Sequence, residues 1–164
     1  MRRVETEASV SVRLSPMSLA HFVVYRDVAE EMYAQDIRAS GAMPEPEARE
    51  KAEIDFAKLL PDGLDTKDHY FWTAREGDAE VGMVWLGITQ KSDGLHAFGY
   101  DFMVPEHLRR RGYGRAIMVA AEKLCKQRGV ISVGLSVFGF NAGAQALYEQ
   151  MGFEVTAIKM TKTL

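Results

Sequence analysis

The sequence predicts an α/β fold of the α+β kind, a single domain over residues 1–164 in which one sheet is flanked by about four helices. Three observations lead there. Helical periodicity and two-residue alternation take turns along the chain, glycine or proline punctuates most of the junctions, and the 164 residues are 47% hydrophobic and 26% charged, the balance of an ordinary globular domain. A chain of this length buries roughly two-thirds of the surface its unfolded form exposes, enough for one core. No repeat, low-complexity tract or linker divides it.

Val10-Ser11-Val12-Arg13-Leu14 alternates apolar with polar and stops at Ser15-Pro16, which predicts a first strand. Residues 19–40 are helix-compatible and are ended by Gly41, Pro44 and Pro46. Pro46 suits the first turn of a second helix, whose stripe of Ala52, Phe56, Leu59 and Leu60 closes at Pro61-Asp62-Gly63. Residues 70–75 and 81–89 are rich in aromatic and β-branched side chains, and Glu76-Gly77-Asp78-Ala79 between them predicts a hairpin. Trp72 and Trp85 belong to its core. A fourth strand runs over 95–104 and ends at Pro105.

Residues 115–128 carry Ile117, Ala120, Ala121 and Leu124 on one helical face, with Gly129 as a C-terminal cap. VISVGLSV, 130–137, predicts a fifth strand with Ile131, Val133, Leu135 and Val137 on one side. Asn141 can cap a short helix striped by Ala144, Leu147, Tyr148 and Met151, which Gly152 ends. Residues 153–164 are left for the last strand or strands.

Twenty Lys+Arg against 23 Asp+Glu give a net charge of −3, so there is no global attraction to nucleic acid or to an anionic membrane. The lone Cys125, inside a helix, reads as a packing residue, and no Cys/His cluster has metal-ligand spacing, so no metal is expected. The opening residues lack the apolar core of an export signal and no later run could span a membrane, which together predict a cytoplasmic protein. The exposed edges of an open sheet are compatible with a homodimer.

The local basic site is LRRRGYGRA, residues 108–116, where Arg109, Arg110 and Arg111 run into Gly112-Tyr113-Gly114 between a strand and a helix. A helix N-terminus offers unpaired amides and the positive end of the helix dipole, and glycines let an anion approach them. Phosphate is the expected guest, although a charged run before a helix also makes an ordinary solvated turn. A Walker loop is absent, and the dinucleotide fingerprint would need glycine where Ile117 stands.

F-x-V-x-x-x-x-R-x-x-G-x-G, from Phe102 to Gly114, and N-x-x-A-x-x-L-Y-E-x-x-G-F, from Asn141 to Phe153, together resemble the two motifs of the GNAT family of acetyl-CoA-dependent N-acetyltransferases. The likeness is closest to small bacterial members ending in MxKxL, here Met160 to Leu164. It implies a mixed, mostly antiparallel, twisted sheet of six to seven strands, splayed between the fourth and fifth. It implies acetyl-CoA as co-substrate, with the backbone of Phe102, Met103 and Val104 along the pantetheine arm. The turn of Arg109, Arg110, Arg111, Gly112, Tyr113, Gly114 and Arg115 would surround the pyrophosphate, with Asn141 at the pantetheine or opening the cleft. Tyr148 matches the family's acid for the departing thiolate, and Asp101 stands where relatives carry an acidic group suited to deprotonating an amine. His96 is a weaker candidate for that base. Arg110 departs from the pattern, since many relatives have glycine there, and the twelve residues after Gly152 are short for two strands.

The acceptor implied is a small-molecule or peptide amine, met by the first two helices, where Tyr25, Glu30, Glu31, Tyr33, Asp36 and Glu45 would suit a cation. Protein N-terminus, lysine, polyamine, aminoglycoside and small metabolite stay open, as does a longer acyl donor. A domain that binds acyl-CoA or a partner without turnover is the alternative. Nucleic-acid binding through Arg109 to Arg115 lacks the interleaved aromatics it would need.

Overall fold

The structure is a computed structural model that describes residues 10–164, so the expectation of no export signal lies in part outside the described residues. Along the chain run β1 (Arg13–Pro16), α1 (Leu19–Ala39), α2 (Glu47–Leu59), β2 (His69–Glu76), β3 (Ala79–Lys91), β4 (Gly94–Met103), α3 (Tyr113–Gln127), β5 (Val130–Leu135) and α4 (Ala142–Gln150). The strands form one sheet in the order β1-β2-β3-β4-β5. The first three pairings are antiparallel and β4–β5 is parallel.

Ser18 caps α1 by accepting from the His21 amide, and the backbone N–H of Ser40 closes its last turn. Helix α2 follows Pro46, which stands as the N-cap just before its first turn rather than within it. The β2–β3 hairpin turns at Gly77-Asp78, with Gly77 at φ +57°. Strand β3 is apolar almost without a break because both its faces are covered. Val81, Val84, Leu86 and Ile88 join Trp72, Ala74 and the α3 residues Ile117, Ala121 and Cys125 on one side. Met83 and Trp85 point the other way, against Phe71 and the α1/α2 residues Phe22, Tyr25, Ala29 and Phe56. Both tryptophans are core residues, 6% and 2% exposed.

The sheet has five strands among the described residues, not the six to seven expected. Residues 153–164 contain neither helix nor strand. Strand β1 is also shorter at its start than predicted, because its partner β2 turns away just past Arg75, the residue paired with Arg13. Pro16 is tolerated because β1 is an edge strand. Strand β5 stops at Leu135 rather than Val137, since its last partner on β4 is Gly99. On β5, Ile131 is 59% exposed while Val133 and Leu135 are half-buried, so the predicted apolar face is only partly covered.

Candidate active site

The cleft begins at an irregularity in β4. Asp101 pairs with Trp85 and Gly99 with Leu86, which leaves Tyr100 as an extra residue without a partner. Such a bulge bends its strand and increases its twist. Pairing with β5 ends at Gly99–Leu135, one residue before the bulge, so the β5-facing edge of β4 is unpaired from Tyr100 onward. The Tyr100 ring stacks on Trp85 with centroids 4.7 Å apart and also meets His69 at 5.2 Å. A Cβ on Gly87 would lie 2.7 Å from that ring, so only glycine leaves room for it.

Asp101 shares the Trp85 side of the sheet, the side covered by α1 and α2. Its Oδ2 accepts from the Tyr25 hydroxyl at 2.7 Å and its Oδ1 from the Phe102 amide at 2.7 Å. Both bonds favour the carboxylate, yet burial outweighs them and pushes the carboxyl above its ordinary range. Burial, followed by the Asp101 charge, raises the Tyr25 hydroxyl far above a free phenol. Asp36, also on α1, is raised by burial and then by Asp101. Tyr148, partly buried on α4, is raised by the same two causes in the same order. One carboxyl is thus the electrostatic centre of a group drawn from α1, β4 and α4.

Beyond Met103 the chain passes Pro105 and a single 3-10 turn at Glu106–Leu108, where the Arg109 amide folds back onto the Glu106 carbonyl at 3.1 Å. The Arg109 side chain reaches the Val104 carbonyl at 3.2 Å. From Arg110 to Arg115, no amide donates to a backbone carbonyl among the described residues; the next, Ala116, bonds Gly112. Arg110 at φ +62° and Gly112 at φ +85° are both left-handed. Residues in that conformation turn successive amides toward one concave side, a nest for an anion. Gly114 has a packing reason as well, since a Cβ there would approach Leu147 Cδ2 of α4 at 3.2 Å and Phe102 Cζ at 3.6 Å.

Asn141 caps α4 with Oδ1, accepting from the Ala144 amide at 3.2 Å, which leaves its side-chain NH2 free to donate. The four stripe residues of α4, Ala144, Leu147, Tyr148 and Met151, are all partly buried. The Tyr148 ring rests on Phe153 at 5.6 Å. His96 stands apart from this group, near the start of β4, with one ring nitrogen 2.6 Å from Ser132 Oγ and the other 2.8 Å from Asp93. Cys125 is buried, and burial pushes its thiol up. A surface recess of about 140 Å³ between α1 and α2, lined by Asp27, Glu30, Glu31 and Arg49 among others, includes none of the cleft residues.

The sequence singled out Asp101, Tyr148, Asn141 and the arginine-glycine turn individually. The Tyr25–Asp101 bond spans 76 positions and carries no local signal. The bulge at Tyr100 is equally silent, because its cause is a packing arrangement over Gly87 and Trp85.

Comparison with known proteins agrees with this geometry. The family model described as "Acetyltransferase (GNAT) family" matches residues 29–153. YycN of Bacillus subtilis, named as an uncharacterized N-acetyltransferase, is 31% identical over 94% of this chain and 100% of its own length. YdgE of the same organism, named likewise, is 30% identical over 92% of this chain and 97% of its own length. The crystal structure of YycN superposes with a TM-score of 0.90 at 30% identity, covering 94% of this chain and 99% of that one. A sheet opened between β4 and β5, a nest of free amides opening α3 and the match over most of the length agree: this chain is an acetyltransferase and belongs to the GNAT family.

Proposed function

We propose that the chain, as one domain over residues 1–164, transfers an acetyl group from acetyl-CoA to a primary amine by direct attack within a ternary complex. The observation that carries this reading is the proximity of a buried carboxyl, Asp101, made more basic by burial, to a phenol, Tyr148, whose proton is held more tightly by burial and by the Asp101 charge. One comes from β4 and the other from α4, the elements that border the gap in the sheet.

The residues present fit the co-substrate. The free amides of Arg110 to Arg115 can take up the pyrophosphate, with the arginine side chains adding attraction. The edge of β4 left without a strand partner beyond Tyr100, and Val104 just after it, can offer the Met103 backbone and the Phe102 carbonyl to the amides of the pantetheine arm as an added strand would. The Asn141 side-chain NH2 faces no competing demand from its cap bond.

Asp101 takes a proton from the acceptor's ammonium, directly or through a water, and frees the nitrogen lone pair. That lone pair forms the C–N bond at the thioester carbonyl. The C–S bond then breaks and Tyr148 gives its proton to the thiolate; the nitrogen's surplus proton restores the Tyr148 hydroxyl through solvent, and Asp101 releases the proton it first took to water. The balance is acetylated amine, free thiol and one proton. Tyr25 holds the carboxylate in place. Asp36 adds negative charge near the entering nitrogen, which favours a cationic amine.

Two measurements test this. Calorimetric titration should show stoichiometric binding of acetyl-CoA and CoA but not NADH, and thiol release should follow when amines are added. Tyr148→Phe should lower turnover about tenfold to a thousandfold while leaving acetyl-CoA affinity within twofold. A folded protein that binds neither CoA species, or a Phe variant with unchanged turnover, would remove the cradle or the acid respectively.

A further inference from the structure

The bulge in β4 re-aims side chains as well as bending the strand. In a regular strand Tyr100 and Asp101 would face opposite sides of the sheet; the extra residue turns both toward the α1/α2 side, where Tyr100 stacks on Trp85 and Asp101 meets Tyr25. Phe98 is on that side too, since Ala97 before it belongs to the core under α3 and the Phe98 ring meets the Tyr100 ring. The two centroids are 4.9 Å apart with the planes at 64°, so the rings form a corner next along the strand from the Asp101 carboxyl. Helices α1 and α2 leave that corner uncovered. Trp85 beneath it is 2% exposed, whereas Tyr100 is 37% exposed and Phe98 38%.

Glycines keep the corner open. The strand partners of Phe98 are Gly87 on one side and Gly134 on the other, and neither puts a side chain beside its ring. Gly87 gives its space to Tyr100, while a Cβ on Gly134 would meet only Phe98 Cδ2, at 3.9 Å, among the described residues. The rings themselves bring no charge. Trp85 Nε1 donates to His69 Nδ1 at 2.9 Å, which puts the imidazole hydrogen on Nε2, and burial lowers the affinity of His69 for a second proton. Asp101 and Asp36 supply the negative charge of the cleft, whereas Asp27, Glu30 and Glu31 line the separate recess between α1 and α2.

Amines of different kinds meet this arrangement differently. A flat apolar group gains most from the corner, because it can lie on the face of one ring and the edge of the other. A carboxylate next to the nitrogen, as in an amino acid, would stand against Asp101 and Asp36. The second ammonium of a polyamine finds no carboxyl at the corner, and the hydroxyls of an aminoglycoside would give up water there for rings and glycines.

We propose that Phe98 and Tyr100 select the acceptor, a primary amine that carries an aromatic ring on a short alkyl chain and no carboxylate: its ring enters the corner over Gly134 and its nitrogen meets Asp101. The proposal rests on the amine-transfer reading of the same cleft and goes beyond it in naming what the amine is attached to.

Phenethylamine, butylamine and phenylalanine are the probes, with binding measured apart from turnover. Calorimetric titration of the protein in excess CoA should give phenethylamine at least about tenfold tighter than the other two, and kcat/KM from thiol release should follow the same order. Two variants locate the effect. Phe98→Ala removes one wall, and Gly134→Ile fills the corner with a side chain that suits a strand; each should lower the preference for phenethylamine over butylamine at least about tenfold. An equal loss on both amines would assign these positions to the fold and overturn the proposal. Butylamine or phenylalanine binding as tightly as phenethylamine, or no binding by any of the three, overturns it as well. Thiol release without an aromatic preference keeps the transfer reading and removes the corner; an aromatic preference in calorimetry without thiol release does the reverse.

Discussion

At Asp101 two hydrogen bonds pull toward the charged form and burial pulls against it, and burial wins. The consequence for stability has a definite sign. Unfolded, the carboxyl titrates near 3.9. Folded, it keeps its proton to higher pH, so in the window above that value the native state binds more protons and stability falls as pH rises. Asp101→Asn keeps an oxygen to accept from Tyr25 and removes the titration. Urea unfolding from pH 3 to pH 8 should therefore show the Asn variant gaining stability relative to the parent as pH rises, while thiol release falls by about 10² to 10⁴. A constant difference across that range would mean that Asp101 titrates alike in the folded and unfolded states, and a difference of the opposite sign that folding favours its charged form.

Arg110 is a different kind of tension. The sequence marks it only as a place where relatives have glycine, and the structure supplies the reason, φ +62°. A side chain in that conformation costs about 1–2 kcal/mol, against about 0.5–1 kcal/mol of extra unfolded-state freedom for glycine. Arg110→Gly should accordingly stabilise the protein by up to about 1 kcal/mol in thermal melts, and weaken acetyl-CoA binding in a salt-dependent way by removing one guanidinium. A lower melting temperature would show the arginine making contacts that outweigh its backbone.

Strand β4 owes its shape to neighbours far along the chain. Its existence was legible from LHAFGYDFMV ending at Pro105, as were α1, α2, the hairpin and α3 from their periods and stops. The bulge was not, because nothing in Gly99-Tyr100-Asp101 distinguishes an extra residue from a regular one. What fixes it is space over Gly87, with Trp85, His69 and Phe98 around the Tyr100 ring. The overlong reading of β5 has the same origin, since VISVGLSV alternates to its end but β4 diverges past Gly99. Gly87→Ala tests the link from packing to site. The new methyl must displace a ring held on three sides, at a cost of about 1–3 kcal/mol, and the ring's neighbour in sequence is Asp101. Turnover should fall together with the melting temperature. A variant that loses stability but keeps full turnover would separate the bulge from the position of the carboxyl.

The two faces of the sheet meet only through the strands themselves, and β3 belongs to both. Val84 and Trp85 are adjacent in sequence yet lie in different cores, one under α3 and one under α1 and α2. The sequence showed both tryptophans as core residues of the hairpin, but alternation along two strands buried on both sides does not say which helix covers which face. The structure places Trp72 on the α3 side and Trp85 on the other, so each core has its own fluorescent reporter. Trp72→Phe leaves only the α1/α2 reporter and Trp85→Phe only the α3 one. If β3 makes the two cores one cooperative unit, urea curves followed by either tryptophan and by circular dichroism share a single midpoint. Ile117→Ala sharpens the test, because Ile117 is fully buried and packs on the α3 side alone. Its loss costs about 2–5 kcal/mol, and that cost should move the Trp85 transition as far as the Trp72 transition. A midpoint that shifts for Trp72 while Trp85 holds would mean that the faces unfold separately, with the α1/α2 layer, which carries Tyr25 and Asp36, able to stay folded after the α3 layer is lost.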